Sequence, residues 1–141
     1  MATIELNLVN GKYGFEAKDK DGHVTRMDSK PELGGQNFGT RPMELLLEAL
    51  AGCSSVDVVS ILSKQKQELK GLKVVVNGER KAQDDLSLWK DIEMVFELQG
   101  DIDPVKAEKA VKLSIDKYCS VAATLVAAGA EIKTKVVVSG Q

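Results

Sequence analysis

The run Thr40-Arg41-Pro42-Met43-Glu44-Leu45-Leu46-Leu47-Glu48-Ala49-Leu50-Ala51-Gly52-Cys53-Ser54-Ser55-Val56-Asp57-Val58-Val59-Ser60-Ile61-Leu62-Ser63-Lys64-Gln65-Lys66 decides the fold. Proline suits the first position of a helix, where its missing N–H has no intrahelical partner to lose, so a helix is predicted from Pro42. Glu44 and Glu48 then lie near the positive end of the helix dipole. Beyond them the apolar residues Leu45, Leu46, Leu47, Leu50, Val56, Val58, Val59, Ile61 and Leu62 cover nearly the whole circumference. A helix apolar on most sides is expected to be buried on most sides. Glu44, Glu48 and Asp57 argue against a membrane span. Cys53, one of two cysteines, sits in the middle of this element.

The chain of 141 residues is read as a single domain over residues 1–141. A central helix with so little polar face needs cover on several sides, and a partner subunit is a natural source of it. The net charge of -2 comes from 19 basic and 21 acidic residues, well mixed. Nothing in that balance points to nucleic acid or to an anionic membrane surface. The chain begins on a strand-like alternation (Ile4, Leu6, Leu8) and not on a charged-then-apolar leader, so a cytoplasmic location is expected. In a reducing compartment two cysteines are expected as free thiols.

Asn10-Gly11 and Asp21-Gly22 are hairpin signals, because these residues accept positive φ. They divide the first thirty or so residues into a three-stranded meander. Ser29 to Gly39, with Pro31, Gly34 and Gly35, reads as a functional-length loop, without the pattern of a phosphate cradle. After the helix, Gly71 is expected to end the helical pattern and Leu72–Val76 to form a strand. An irregular charged stretch from Glu79 to Ser87 follows, and then a strand near Trp89–Leu98 with Ile92, Met94, Phe96 and Leu98 on one face. Asp103-Pro104 opens a helix as cap and first residue, with Ala107, Val111, Ser114 and Tyr118 on one side. Ser120–Ala128 is a shorter helix stopped by Gly129, and Ile132–Val138 a final strand. The order β-β-β-α-β-β-α-α-β lacks a repeating βαβ unit, so the class is α+β with mainly antiparallel pairing.

A cysteine on an apolar helix is usually a small hydrophobe, which is the plain reading of Cys53. Cys119 lies at a helix-to-helix junction, where the N–H groups and dipole of a new helix favour a thiolate. If the two sulfurs meet, one can be oxidised to a sulfenic acid and the other can resolve it as a disulfide. The one histidine, His23, is expected at the surface or on an edge strand, and no metal site is read.

Arg41-Pro42-Met43-Glu44-Leu45, Gly52-Cys53-Ser54, Asp57-Val58-Val59-Ser60-Ile61-Leu62, Ala110-Val111-Lys112-Leu113-Ser114 and Lys117-Tyr118-Cys119-Ser120-Val121 together resemble the OsmC and organic-hydroperoxide-resistance superfamily over essentially the full length. The similarity is greatest to its OsmC-like branch of small redox proteins. The resemblance implies an intertwined homodimer, with antiparallel sheets around two long central helices. It implies an active site near the subunit interface, a peroxidatic Cys53, a resolving Cys119 and an organic hydroperoxide as substrate. No metal, haem or flavin cofactor is implied; electrons come from an external thiol or dithiol reductant.

In the peroxidase branches an arginine and a glutamate activate the thiol, and the glutamate directly follows the helix-opening proline. Met43 occupies that position here, and Glu44 is the next residue, turned by about 100°. On a straight helix Glu44 and Cys53 point to opposite sides, so Glu44 serves only through an irregular first turn or in the other subunit; otherwise it is a helix-terminal charge. Arg26 and Arg41 are the two candidates for the arginine, either of which lowers a thiol pKa at close range. The readings left by the sequence are a two-cysteine hydroperoxide reductase and a dimeric protein of the same fold that binds a small hydrophobic molecule or senses redox state. Met43 favours the second. A thiol hydrolase or transferase lacks a partnering histidine or acid.

Overall fold

A computed structural model describes residues 1–140. The element order is that read from the sequence: β1 (Glu5–Leu8), β2 (Phe15–Lys18), β3 (Val24–Met27), α1 (Pro42–Lys64), β4 (Glu68–Gln83), β5 (Leu86–Asp101), α2 (Pro104–Leu113), α3 (Ser120–Ala127) and β6 (Glu131–Ser139). The class is α+β. The chain forms two compact parts, one up to Leu46 and one from Leu47 onward.

In the first part β1, β2 and β3 form an antiparallel meander. The Asn10-Gly11 turn is not a two-residue hairpin, because β1 stops at Leu8 and β2 starts at Phe15. Gly11 does take φ 70, but the Asn10 carboxamide accepts the N–H groups of Lys12 and Gly14 at 3.0 and 2.9 Å. That side-chain turn replaces the backbone hairpin and widens the connection. The loop after β3 holds one 3-10 turn, Pro31–Leu33, and returns beside β3 at Thr40. A Cβ on Gly39 would fall on the Arg26 carbonyl, so this return requires glycine.

Asp28 holds that loop, a role the sequence reading missed. It is 2 % exposed, and its carboxylate accepts the N–H groups of Ser29, Gln36 and Phe38 at 2.7, 2.9 and 3.1 Å. The N–H of Gln36, with help from Phe38 and Ser29 and against partial desolvation, holds its pKa below 3.8. A depressed carboxyl stabilises the fold above its unfolded-state pKa and loses that contribution as pH falls through the folded value. Asp28→Asn is therefore expected to lower the thermal midpoint at pH 7. The gap to the wild type should narrow progressively as the pH is lowered through the carboxyl titration, and melts followed from pH 7 into the acid range test it. An unchanged gap would remove Asp28 as the loop's acid-sensitive anchor.

In the second part β5 is the centre of a three-stranded sheet, antiparallel to β4 and parallel to β6. Pairing is thus mainly antiparallel with one exception, for which α2 and α3 provide the long crossover that parallel strands need. The charged Glu79–Ser87 stretch is not irregular. Both strands run through it and turn at Asp84-Asp85, with Asp84 at φ 55. Charges fit there because the strand ends are exposed on both faces. Gly71 does not end the helix either: α1 stops at Lys64, Lys66 takes φ 57, and Gly71 lies at a bulge within β4.

Along β5 the residues Ile92, Met94, Phe96 and Leu98 are buried and alternate with exposed Asp91, Glu93, Glu97 and Gln99, and with half-buried Val95. They pack with Leu50, Val58 and Leu62 of α1, Ala107, Ala110 and Val111 of α2, and Ala122 and Leu125 of α3. Each large side chain in that set contributes roughly 1.5–3 kcal/mol by leaving water. The expectation of a helix buried on most sides is not met within one chain. Only the stripe Leu50, Ser54, Val58 and Leu62 of α1 is buried, while Val56 is 69 % and Val59 47 % exposed. By length and composition α1 could cross a bilayer, but its buried stripe lies in this core.

Candidate functional site

Cys53 is half-buried on α1, packed against the core cluster to which Cys119 belongs. Cys119 owes its position to the end of α2. Asp103 caps that helix by accepting the N–H of Val105 at 2.9 Å, and Pro104 follows, as the sequence indicates. At Ser114–Tyr118 the helix widens into a π turn, closed by the N–H of Cys119 donating to the Ser114 carbonyl at 2.7 Å. The i→i+5 bond delays each residue around the axis. Tyr118, expected on the buried side, therefore turns out to 51 % exposure, and Cys119 turns in to 2 %.

The sulfur of Cys119 caps α3, accepting the N–H of Ala122 at 3.3 Å. Cys53 lies near enough to this thiol to influence its titration. Both cysteines are free thiols. Burial pushes the Cys119 thiol up to about 11, outweighing the N–H groups of Ala122 and Val121, and the neighbouring Cys53 pushes the same way. The expected helix-terminal thiolate at Cys119 is thus not favoured: desolvation outweighs the amide groups, and the Cys119 thiol is protonated at neutral pH.

Two polar residues beside the pair were not singled out from the sequence. Ser114 is fully buried, and its hydroxyl donates to Asp57 Oδ2 at 2.9 Å, with the Ser54 carbonyl at 3.2 Å. Asp57 lies one turn beyond Cys53 on α1, a spacing visible in the sequence. Ser54 satisfies its own hydroxyl on the Leu50 carbonyl at 2.8 Å. A depression of about 510 Å³ lies alongside, lined by Asp57, Ser60, Ile61, Lys64, Leu113 and Tyr118, among others.

The remaining candidates lie in the first part of the chain. Arg26 is exposed on β3, where its Nε donates to Glu16 Oε2 at 3.2 Å across the strand pair and its guanidinium stands 5.3 Å from the Phe38 ring. Arg41 is exposed immediately before α1, and its carbonyl accepts the N–H groups of Glu44 and Leu45. Glu44 is exposed in the first turn of α1. His23 is exposed and holds Asp19 Oδ2 at 2.8 Å, a bond that is the largest cause of the lowered Asp19 pKa. Asp19, Asp21 and His23 are the one cluster of metal-ligating types close together among the described residues. All three are exposed, and the Asp19 carboxylate is already engaged by the turn amides of Asp21 and His23.

Comparison with known proteins adds to this geometry. Protein YhfA of Escherichia coli K12 is 36 % identical over 115 residues, covering 79 % of this chain and 80 % of its own. The crystal structure of a hypothetical protein from Aquifex aeolicus VF5 superposes with TM-score 0.85 at 32 % identity, covering 100 % of this chain and 98 % of that one. The organic hydroperoxide resistance protein OhrB of Bacillus subtilis shares the fold at TM-score 0.64 and 18 % identity, covering 99 % of this chain and 98 % of its own. Residues 34–135 match the family described as OsmC-like protein. Sequence and fold agree, and the chain belongs to the OsmC-like family.

Proposed function

We propose that this protein reduces organic hydroperoxides through Cys53 and Cys119. Membership of the OsmC-like family and a fold shared with a hydroperoxide resistance protein support a redox or stress-response role. The observation that supports the finer reading is that two free thiols 66 residues apart in the chain share one core cluster, near enough for Cys53 to influence the titration of Cys119. In the first step Cys53 sulfur attacks the outer peroxide oxygen, the O–O bond breaks, and an alcohol leaves as Cys53 becomes a sulfenic acid. In the second, Cys119 sulfur attacks Cys53 sulfur, the S–O bond breaks, and water carries away the hydroxyl with the thiol proton. An external thiol or dithiol then reduces the disulfide by exchange and is itself oxidised.

Arg26 or Arg41 is the proposed cation for the peroxidatic sulfur, and Glu44 is a helix-terminal charge unless it serves the other subunit. A reducing cytoplasm is the proposed compartment, since it keeps both thiols ready. The proposed assembly is a homodimer, because the face of α1 carrying Val56 and Val59 is apolar and uncovered in one chain. The first part of the chain likewise leaves Leu6, Leu8 and Val24 about half exposed.

The test is a titration of reduced protein with cumene hydroperoxide. One equivalent should consume both thiols in parallel and release one equivalent of cumyl alcohol. Thiols that persist beside intact hydroperoxide would refute the enzyme reading. Met43, at the position where the peroxidase branches carry glutamate, then favours a binding or sensing protein of the same fold.

A further inference from the structure

We infer that Asp57 and Ser114 form a latch that sets Cys119 against Cys53, making Asp57 a positioning residue for disulfide closure. The inference rests on the proposed two-cysteine cycle and extends it to residues with no sulfur. Ser114 is tied twice. Its hydroxyl reaches Asp57 on the helix of Cys53 at 2.9 Å, and its carbonyl receives the N–H of Cys119 at 2.7 Å. One tie between the helix of Cys53 and the backbone of Cys119 therefore passes through a single buried serine. The hydroxyl proton has two acceptors, Asp57 Oδ2 and the longer contact at the Ser54 carbonyl, 3.2 Å away. A carboxylate acceptor makes the shorter bond the stronger one.

The π turn explains why a latch is needed. A widened turn is a local departure from the regular ladder, and such departures persist where surrounding contacts hold them. Were the turn to relax to regular helix, the Ser114 carbonyl would accept from Tyr118 and the Cys119 amide would move to the Ile115 carbonyl. Cys119 would then rotate away from Cys53. The Asp57 bond fixes the Ser114 side chain to α1 and holds the widened form. In the closing step the S–S bond forms, the S–O bond of the sulfenic acid breaks, and water leaves with the Cys119 proton. Only the placement of the attacking sulfur depends on the latch.

The measurement is the effective molarity of the Cys53–Cys119 disulfide, obtained by equilibrating protein in glutathione buffers of graded oxidation. It needs no hydroperoxide, so it reads the latch even if the enzyme reading fails. Misplacing a reacting group by about 1 Å costs as much as a hundredfold in rate, so a fall of about tenfold in effective molarity is expected for Ser114→Ala and for Asp57→Leu. Asp57→Asn keeps an acceptor oxygen and should stay within about threefold of the wild type. Melting curves identify any variant that fails to fold; if Asp57→Leu does, Ser114→Ala alone decides. Folded Ser114→Ala with wild-type effective molarity, or Asp57→Asn falling as far as Asp57→Leu, would overturn the latch. If the wild type leaves hydroperoxide untouched while effective molarity follows this order, the latch stands and the peroxidase reading fails.

Discussion

Cys53→Ser should abolish hydroperoxide turnover. A hydroxyl in place of the thiol cannot be oxidised to a sulfenic acid, so the covalent path closes, and losses of roughly a thousandfold or more are expected when a nucleophile is removed. Cys119→Ser should behave differently. The first step needs only Cys53, so one equivalent of hydroperoxide is consumed and the sulfenic acid persists, open to trapping by dimedone. Turnover with a dithiol then slows because the internal resolving thiol is gone. Mass spectrometry of both variants after one equivalent of cumene hydroperoxide reads the result. Hydroperoxide consumption by Cys53→Ser at the wild-type rate would end the enzyme reading. A dimedone adduct on Cys119 in the wild type would exchange the two roles. The raised pKa of Cys119, about 11, already argues for the assignment used here, because a buried protonated thiol is a poor first nucleophile.

The second large effect concerns assembly. Val56 and Val59 stand 69 % and 47 % exposed on a helix whose opposite stripe is fully buried. In the proposed homodimer that face is covered, and the double substitution Val56→Glu, Val59→Glu would place unpaired charges in it. One uncompensated buried charge costs about 3–5 kcal/mol, which is on the order of 10²–10⁴ in a dissociation constant. Sedimentation at micromolar concentration should therefore show a dimer for the wild type and a monomer for the variant. The stability of the wild type should also rise with protein concentration, as linkage to association requires. A monomeric wild type, or a dimeric double variant, would place the interface elsewhere.

Much of this architecture was legible in the sequence because its signals are local. Pro42, the Asp103-Pro104 cap and Gly129 each act within one turn, and the alternation along β5 needs no knowledge of its neighbours. The misreadings have one common cause. Glu79–Ser87 is charged and resembles a loop, yet pairs as strand because its partner is two residues away across Asp84-Asp85. Gly71 resembles a helix stop, yet serves as a bulge whose reason is the register with β5. At the site, each cysteine could be singled out, but the sign of the shift at Cys119 depends on burial by distant residues. Asp57 and Ser114 were visible as a polar pair only once α1 and α2 were brought together. Asp28 gave no signal at all, since its three amide donors follow it in a loop without periodicity.

The parallel strand β6 has a consequence for how the protein is made. β4 and β5 can zip from their shared turn as soon as both have emerged, but β6 arrives only after α2 and α3. Until residues 131–139 dock, β5 presents an unsatisfied row of amides and carbonyls beside its apolar positions. That is the kind of border on which a second unfinished chain can nucleate a mixed sheet. Truncation before Glu131 therefore leaves a fragment prone to aggregate, and translation itself must be followed promptly by closure of the sheet.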